Sequence, residues 1–179
     1  LQRLRQVGVN GVWLHVTLRQ LAPSKQFPEF GEGCEKRLAN LRKLVDRAGR
    51  YGVKIYLYMN EPRAMPESCF ARRPEMKGTP EQGYFAMCTS APQVRAWISQ
   101  ALTHVFREVP ALGGVFTITA SENLTNCWSR GGVEHCPRCS KRSPAAVIAE
   151  VNQAIAAGVR NGNPQAKTIV WDWAWRNDL

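Results

Sequence analysis

The connections in this chain are lopsided. Helical patterns run into the next apolar strand within a few residues, at 52–53, 110–114 and 162–167, whereas the strands are followed by long polar stretches at 18–34, 61–89 and 120–142. An ordinary strand-to-helix loop takes about 2–6 residues. Length confined to one end of the strands is the pattern of a (β/α) barrel, whose site is built from loops at the strands' carboxyl ends. Four strand-like segments carry it: VWLHVTL, VKIYLYMN, GGVFTIT and TIVWDWAW. Strands alternating with helices argue for parallel pairing. The expected fold class is therefore α/β, a partial (β/α)8 TIM barrel of about four βα units. A closed barrel takes about 250 residues, and the chain has 179. It lacks an initiator Met and stops just past a strand, so 1–179 is expected to be a segment of a single barrel domain, incomplete at both ends.

The helices are read from their apolar faces and stop signals. Leu38, Leu41, Leu44, Val45 and Ala48 share one face, with Gly52 as the stop. Ser90 and Gln93 stand at capping-box spacing ahead of Val94, Trp97, Ile98, Leu102, Val105 and Phe106. Ser143 reads as an N-cap with Pro144 at the first helical position.

Several function classes recede. No Gly-x-Gly-x-x-Gly or phosphate loop follows any strand. No apolar run approaches the ~20 residues of a membrane span. The net charge is +10, but the cations are scattered: Lys36, Arg42, Lys43, Arg47 and Arg50 fall mostly on polar helix faces. They read as solvated surface, so nucleic acid is not an expected partner.

The strand ends carry the candidate chemistry. Glu122 follows GGVFTIT directly, in the position that reads as catalytic in barrels. A carboxyl group there can protonate a leaving group if burial raises its pKa. Ser121 and Asn123 flank it. Glu61 ends VKIYLYMN, with Asn60 and Arg63 beside it; a glutamate paired structurally with Arg63 is the competing reading, and both stand. Trp171 and Trp173 share one face of the last strand, and Asp172 takes the other. Indoles suit the apolar faces of sugar rings, although strand tryptophans also fill cores. His15, in VWLHVTL, is a secondary substrate-binding candidate.

The chain has six cysteines. Cys136 and Cys139 form a Cys-Pro-Arg-Cys knuckle, preceded by Cys127, with His135 adjacent. Structural zinc takes four soft ligands, often with two residues between paired thiolates. Three thiols are present here, and His135, Cys34, Cys69 or Cys88 could supply the fourth. The set Cys127, His135, Cys136 and Cys139 is the expected metal site, with free thiols or a loop-pinning disulfide as alternatives. No cofactor is expected to be required for catalysis.

The residues YGVKIYLYMNEP, GVFTITASEN and TIVWDWAW resemble the third, fourth and fifth strands of the family 20 β-N-acetylhexosaminidases and related glycosidase-like bacterial proteins. The resemblance implies a glycoside hydrolase acting on a carbohydrate, with Glu122 as general acid. The family's aspartate before that acid, which orients the substrate acetamido group, is Ser121 here. Serine can donate a hydrogen bond but carries no charge to stabilise an oxazolinium. MNEP also looks like the Asn-Glu acid/base pair of another retaining barrel class, which would make Glu61 the acid. The rival functions are a non-catalytic carbohydrate-binding barrel and a zinc-stabilised nucleic-acid-binding domain.

Overall fold

The computed structural model describes residues 1–120, 123–173 and 175. A short helix, α1 (Gln2–Gln6), leads into strand β1 (Gly11–His15), helix α2 (Cys34–Gly49) and strand β2 (Lys54–Met59). Three short strands follow, β3 (Met65–Pro66), β4 (Lys77–Glu81) and β5 (Tyr84–Met87). Then come α3 (Pro92–Glu108), β6 (Gly114–Ile118), α4 (Pro144–Gly162) and β7 (Lys167–Trp171). Strands β1, β2, β6 and β7 hydrogen-bond side by side in that order, and every pair is parallel. The four strands expected from the sequence thus form one parallel sheet in chain order, within an α/β fold. Among the described residues it stays open; no closed barrel forms.

Alternation along the strands explains which way the sheet faces. Ile55, Leu57 and Met59 of β2 and Val115 of β6 are buried in one core with the helices. Their neighbours Tyr56, Tyr58 and Phe116 point to the other face, because successive strand residues alternate. The helices supply matching stripes: Leu38, Leu41 and Val45 on α2, Val94, Ile98 and Val105 on α3, and Val151, Ile155 and Val159 on α4. The 3.6-residue period puts each set on one side of its helix. An added Cβ at Gly158 would lie 2.6 Å from the Ser99 carbonyl oxygen, so this glycine lets α4 approach α3 closely.

Two helix starts differ in how well the sequence foretold them. Ser143 caps α4 as expected, its Oγ accepting from the Ala146 N–H at 3.3 Å, with Pro144 next. Ser143→Ala should therefore cost about 1 kcal/mol in a denaturant titration, with the slope unchanged. Ser90 does not cap α3. The cap position is Ala91, with no side-chain bond, and the Ser90 hydroxyl is engaged by Cys139 and Arg142. Strand β1 is also shorter than VWLHVTL and ends at His15.

The long stretch between β2 and α3 is not irregular. β3, β5 and β4 pair antiparallel, in that order, as a second small sheet. Gln82 and Gly83, both at positive φ (49° and 82°), join β4 to β5. Two such residues make the mirror-image turn that matches the twist of a hairpin. A satellite core of Ala86, Cys88, Leu124, Cys127 and Val147 ties this sheet to the segment after β6.

Candidate active site at the carboxyl end of the sheet

In parallel strands every carboxyl end lies on the same side, so the exits of β1, β2, β6 and β7 converge. Three of the expected residues meet there. The Arg63 guanidinium donates to Asn123 Oδ1 at 3.0 Å and lies 2.7 Å from His15 Nε2. A guanidinium has donors only, so His15 accepts at Nε2 and carries its proton on Nδ1. One arginine thereby joins the exits of β1, β2 and β6.

Glu61 sits at the end of β2, but its carboxylate is turned inward and the residue is 1% exposed. Oε1 accepts from the Leu18 N–H at 2.7 Å and Oε2 from the Arg63 N–H at 2.9 Å. Burial raises its pKa from the ordinary 4.5 to about 7, against the opposing pull of those two N–H bonds and the Arg63 charge. A carboxylate held this way ties two strand-exit loops together, and its oxygens are closed to solvent. Asn60 is buried beside it, and its Nδ2 has no hydrogen-bond partner among the described residues. Ser121 and Glu122 lie outside the described residues.

The face of the sheet away from the helices carries a continuous aromatic row. Trp13 stacks on Phe116 at 4.8 Å, Tyr58 lies 5.8 Å from Phe116, and Trp171 lies 5.6 Å from Phe116. Trp171 and Trp173 stack at 5.4 Å, which places both rings on one side as expected. The row crosses all four strands, and Trp13 is 63% exposed. Asp172 is exposed, just past the end of β7. Hollows lie along both outer edges of the sheet. One, of about 270 Å³, is largely apolar, with Leu14, Val16, Leu41 and Leu44 in its lining; the other, of about 560 Å³, is mixed, with Asn152, Arg160 and Thr168 beside Ala156, Ala166 and Val170.

The cysteines assemble differently from the expected set. Sγ atoms of Cys88, Cys127, Cys136 and Cys139 all lie within 4.8 Å of one another. These four buried thiols could bind a metal. The fourth member is Cys88, just past β5, and not His135. The His135 side chain is 61% exposed, with Nε2 3.5 Å from Glu134 Oε1. Cys69 is elsewhere, donating to Glu29 Oε1 at 3.2 Å. Hydrogen bonding from Cys127 holds the Cys136 thiol well below its ordinary range, and the same contact pushes Cys127 up. The signal that could have found Cys88 is weak: a lone cysteine at the end of an unrecognised hairpin.

No protein-family model matches the chain. No curated protein sequence matches it either. Among solved structures, it is similar to an α-galactosidase of glycoside hydrolase family 36 from Geobacillus stearothermophilus, in complex with stachyose. That likeness has a TM-score of 0.55 at 14% identity and covers 94% of this chain. The chain spans 24% of that protein's length. At this identity the likeness is one of fold: the sheet and its helices are arranged as in part of a glycoside hydrolase, and family 20 is not shown. Among the described residues no helix is long and apolar enough to cross a membrane.

Proposed function

We propose that the chain is the wall of a (β/α) barrel that binds a carbohydrate at its strand ends and cleaves a glycosidic bond. The observation that carries this reading is the junction of His15, Arg63 and Asn123 at the mouth, beside the aromatic row. The open edges at β1 and β7, with the apolar hollow beside β1, support the barrel, since further βα units would cover them. The fold likeness to a glycoside hydrolase supports the substrate class.

Glu122, the residue before Asn123, is the general acid in this reading. It protonates the glycosidic oxygen as an oxocarbenium-like charge develops on the sugar. Arg63, Asn123 and Ser121 bind sugar hydroxyls, with His15 holding the arginine in place. Trp171 and Trp173 offer a stacking surface, and Asp172 lies close enough in sequence to contribute at its edge. Glu61 positions the mouth and does not react. Asn60 brings an amide with an open donor. An N-acetylhexosaminide is one candidate substrate, although Ser121 supplies no charge for an acetamido nucleophile. Metal enters the reading as a structural zinc among the cysteines.

A binding-only barrel is the second reading, and the burial of Glu61 favours it. Glycosidic cleavage uses two carboxylates flanking the bond, and this one faces inward. One experiment separates the two. The full-length protein and its Glu122→Gln variant are assayed against aryl glycosides, including N-acetylhexosaminides and α-galactosides, and for binding of the same sugars. Hydrolysis that falls about a hundredfold or more in the variant supports the enzyme. Hydrolysis that persists unchanged removes Glu122 from the mechanism. Sugar binding by both proteins with turnover by neither supports the binding module.

A further inference from the structure

We propose that Cys88, Cys127, Cys136 and Cys139 hold one zinc ion as a tetrathiolate, and that this ion locks the loop following β6 onto the small antiparallel sheet. The inference takes its zinc from the reading above and is independent of that reading's hydrolase chemistry.

The spacing of the sulfurs is the first argument. Cys88 Sγ lies 3.6 Å from Cys136 Sγ and 3.7 Å from Cys139 Sγ. A tetrahedron with Zn–S bonds of about 2.3 Å has sulfur–sulfur edges of about 3.8 Å. A disulfide would need about 2.05 Å, and all four cysteines are free thiols. All four are also fully buried, at 0% exposure. The donor set, all thiolate, suits zinc rather than a hard cation.

The surroundings are built for negative sulfur. Arg138 Nε donates to Cys88 Sγ at 3.2 Å, and its Nη2 to the Lys77 carbonyl at 2.8 Å. The Ser90 hydroxyl lies 3.2 Å from Cys139 Sγ and accepts from Arg142 at 2.8 Å. Partners of this kind orient metal ligands and offset their charge. Gly78 of β4 leaves the space: an added Cβ there would lie 2.7 Å from Cys127 Sγ.

The ligands come from three separate segments. Cys88 ends the hairpin sheet, Cys127 lies in the loop past β6, and Cys136 and Cys139 form the knuckle before α4. The apolar residues buried with them are few, chiefly Ala86, Leu124 and Val147. The ion would therefore supply much of what holds this layer, and with it the loop that presents Asn123 to Arg63.

The test is metal content and local exchange on the full-length protein, purified under reducing conditions. One zinc per chain is expected by native mass spectrometry, and cobalt replacement should give the thiolate-to-metal charge-transfer band of a four-sulfur tetrahedral site. Cys88→Ser should lose the ion on dialysis against a chelator that wild type resists, whereas His135→Ala should keep it. Chelation strong enough to strip wild type should raise deuterium uptake in 77–88 and 123–143 before α2. Because the cobalt spectrum is read on wild type, a Cys88→Ser chain that fails to fold does not spoil the result. Wild type without zinc, a band of fewer than four thiolates, release by His135→Ala, or the four thiols recovered as two disulfides would each overturn the proposal. Uptake that rises evenly along the chain would overturn the locking role. None of these readouts depends on glycoside turnover, so a zinc protein that cleaves no sugar leaves the inference standing.

Discussion

Glu61→Ala should destabilise the protein by about 4 kcal/mol at mildly acidic pH. Two N–H groups, those of Leu18 and Arg63, lose the carboxylate that accepts from them. A buried donor left unsatisfied costs about 1–3 kcal/mol, and the cavity adds to that. Wild type should itself weaken as pH rises, and through the same residue. The folded-state pKa is about 7 against an ordinary 4.5, so the native state holds this proton more tightly than the unfolded chain does. Stability from that proton is fully present below about pH 4.5 and is lost as pH rises through about 7. The shift corresponds to about 3 kcal/mol. Glu61→Gln cannot ionise and should lack this slope. Its amide presents N–H₂ to one of the two backbone donors, so it should be less stable than wild type in acid. Near pH 8 the gap should close or reverse. Urea titrations of the three proteins across this range check it. A Glu61→Gln curve parallel to wild type would mean that Glu61 is ionised throughout and that its burial costs little.

How far the sequence disclosed this molecule depends on the range over which each signal acts. The strands, the helices and the uneven connections are local patterns, and they are legible. The cap at Ser143 is also local: hydroxyl and N–H are three residues apart. What escaped is long-range or conditional. The thiol of Cys88 meets those of Cys136 and Cys139 across separations of 48 and 51 residues, and no spacing rule reaches that far. The proximity of His135 to the knuckle made it the plausible fourth ligand, but the chain turns its ring outward. Ser90 had the right spacing for a cap and lost its hydroxyl to the cysteine layer. The antiparallel sheet was hidden because β3 has two residues and β4 contains Gly78 and Pro80, which mask strand character. Its turn, Gln82–Gly83, was the legible clue. Glu61 shows the deepest limit. Position at a strand end is written in the sequence, whereas the direction of a carboxylate is decided by which backbone donors come within reach.

Gly114→Ala should be the most damaging small substitution in the sheet, above about 4 kcal/mol. Gly114 opens β6 at φ +147°, and an added Cβ would stand 1.9 Å from the Lys167 carbonyl oxygen. The obstructing atom is backbone in the paired strand, so no rotamer change relieves it. Lys167 is the registry partner of Gly114 and the first residue of β7. The Lys167 N–H also bonds the Gly113 carbonyl at 2.9 Å, so β7 cannot retreat without breaking the ladder. The neighbouring Gly113 faces the Tyr56 ring, 2.8 Å from an added Cβ, which blocks retreat to the other side. The strand that bears Trp171 should therefore detach. Measured amide exchange in 167–171 should rise far more than in β2, and the Trp171–Phe116 ring contact should be lost from the near-ultraviolet signal. Gly49→Ala is the control. It lies at the end of α2, where an added Cβ meets nothing, and alanine in a helix should stabilise by about 0.5–1 kcal/mol. Equal tolerance of the two substitutions would show that β7 does not pair with β6 in this register. The aromatic row would then lose the strand that carries it to the mouth.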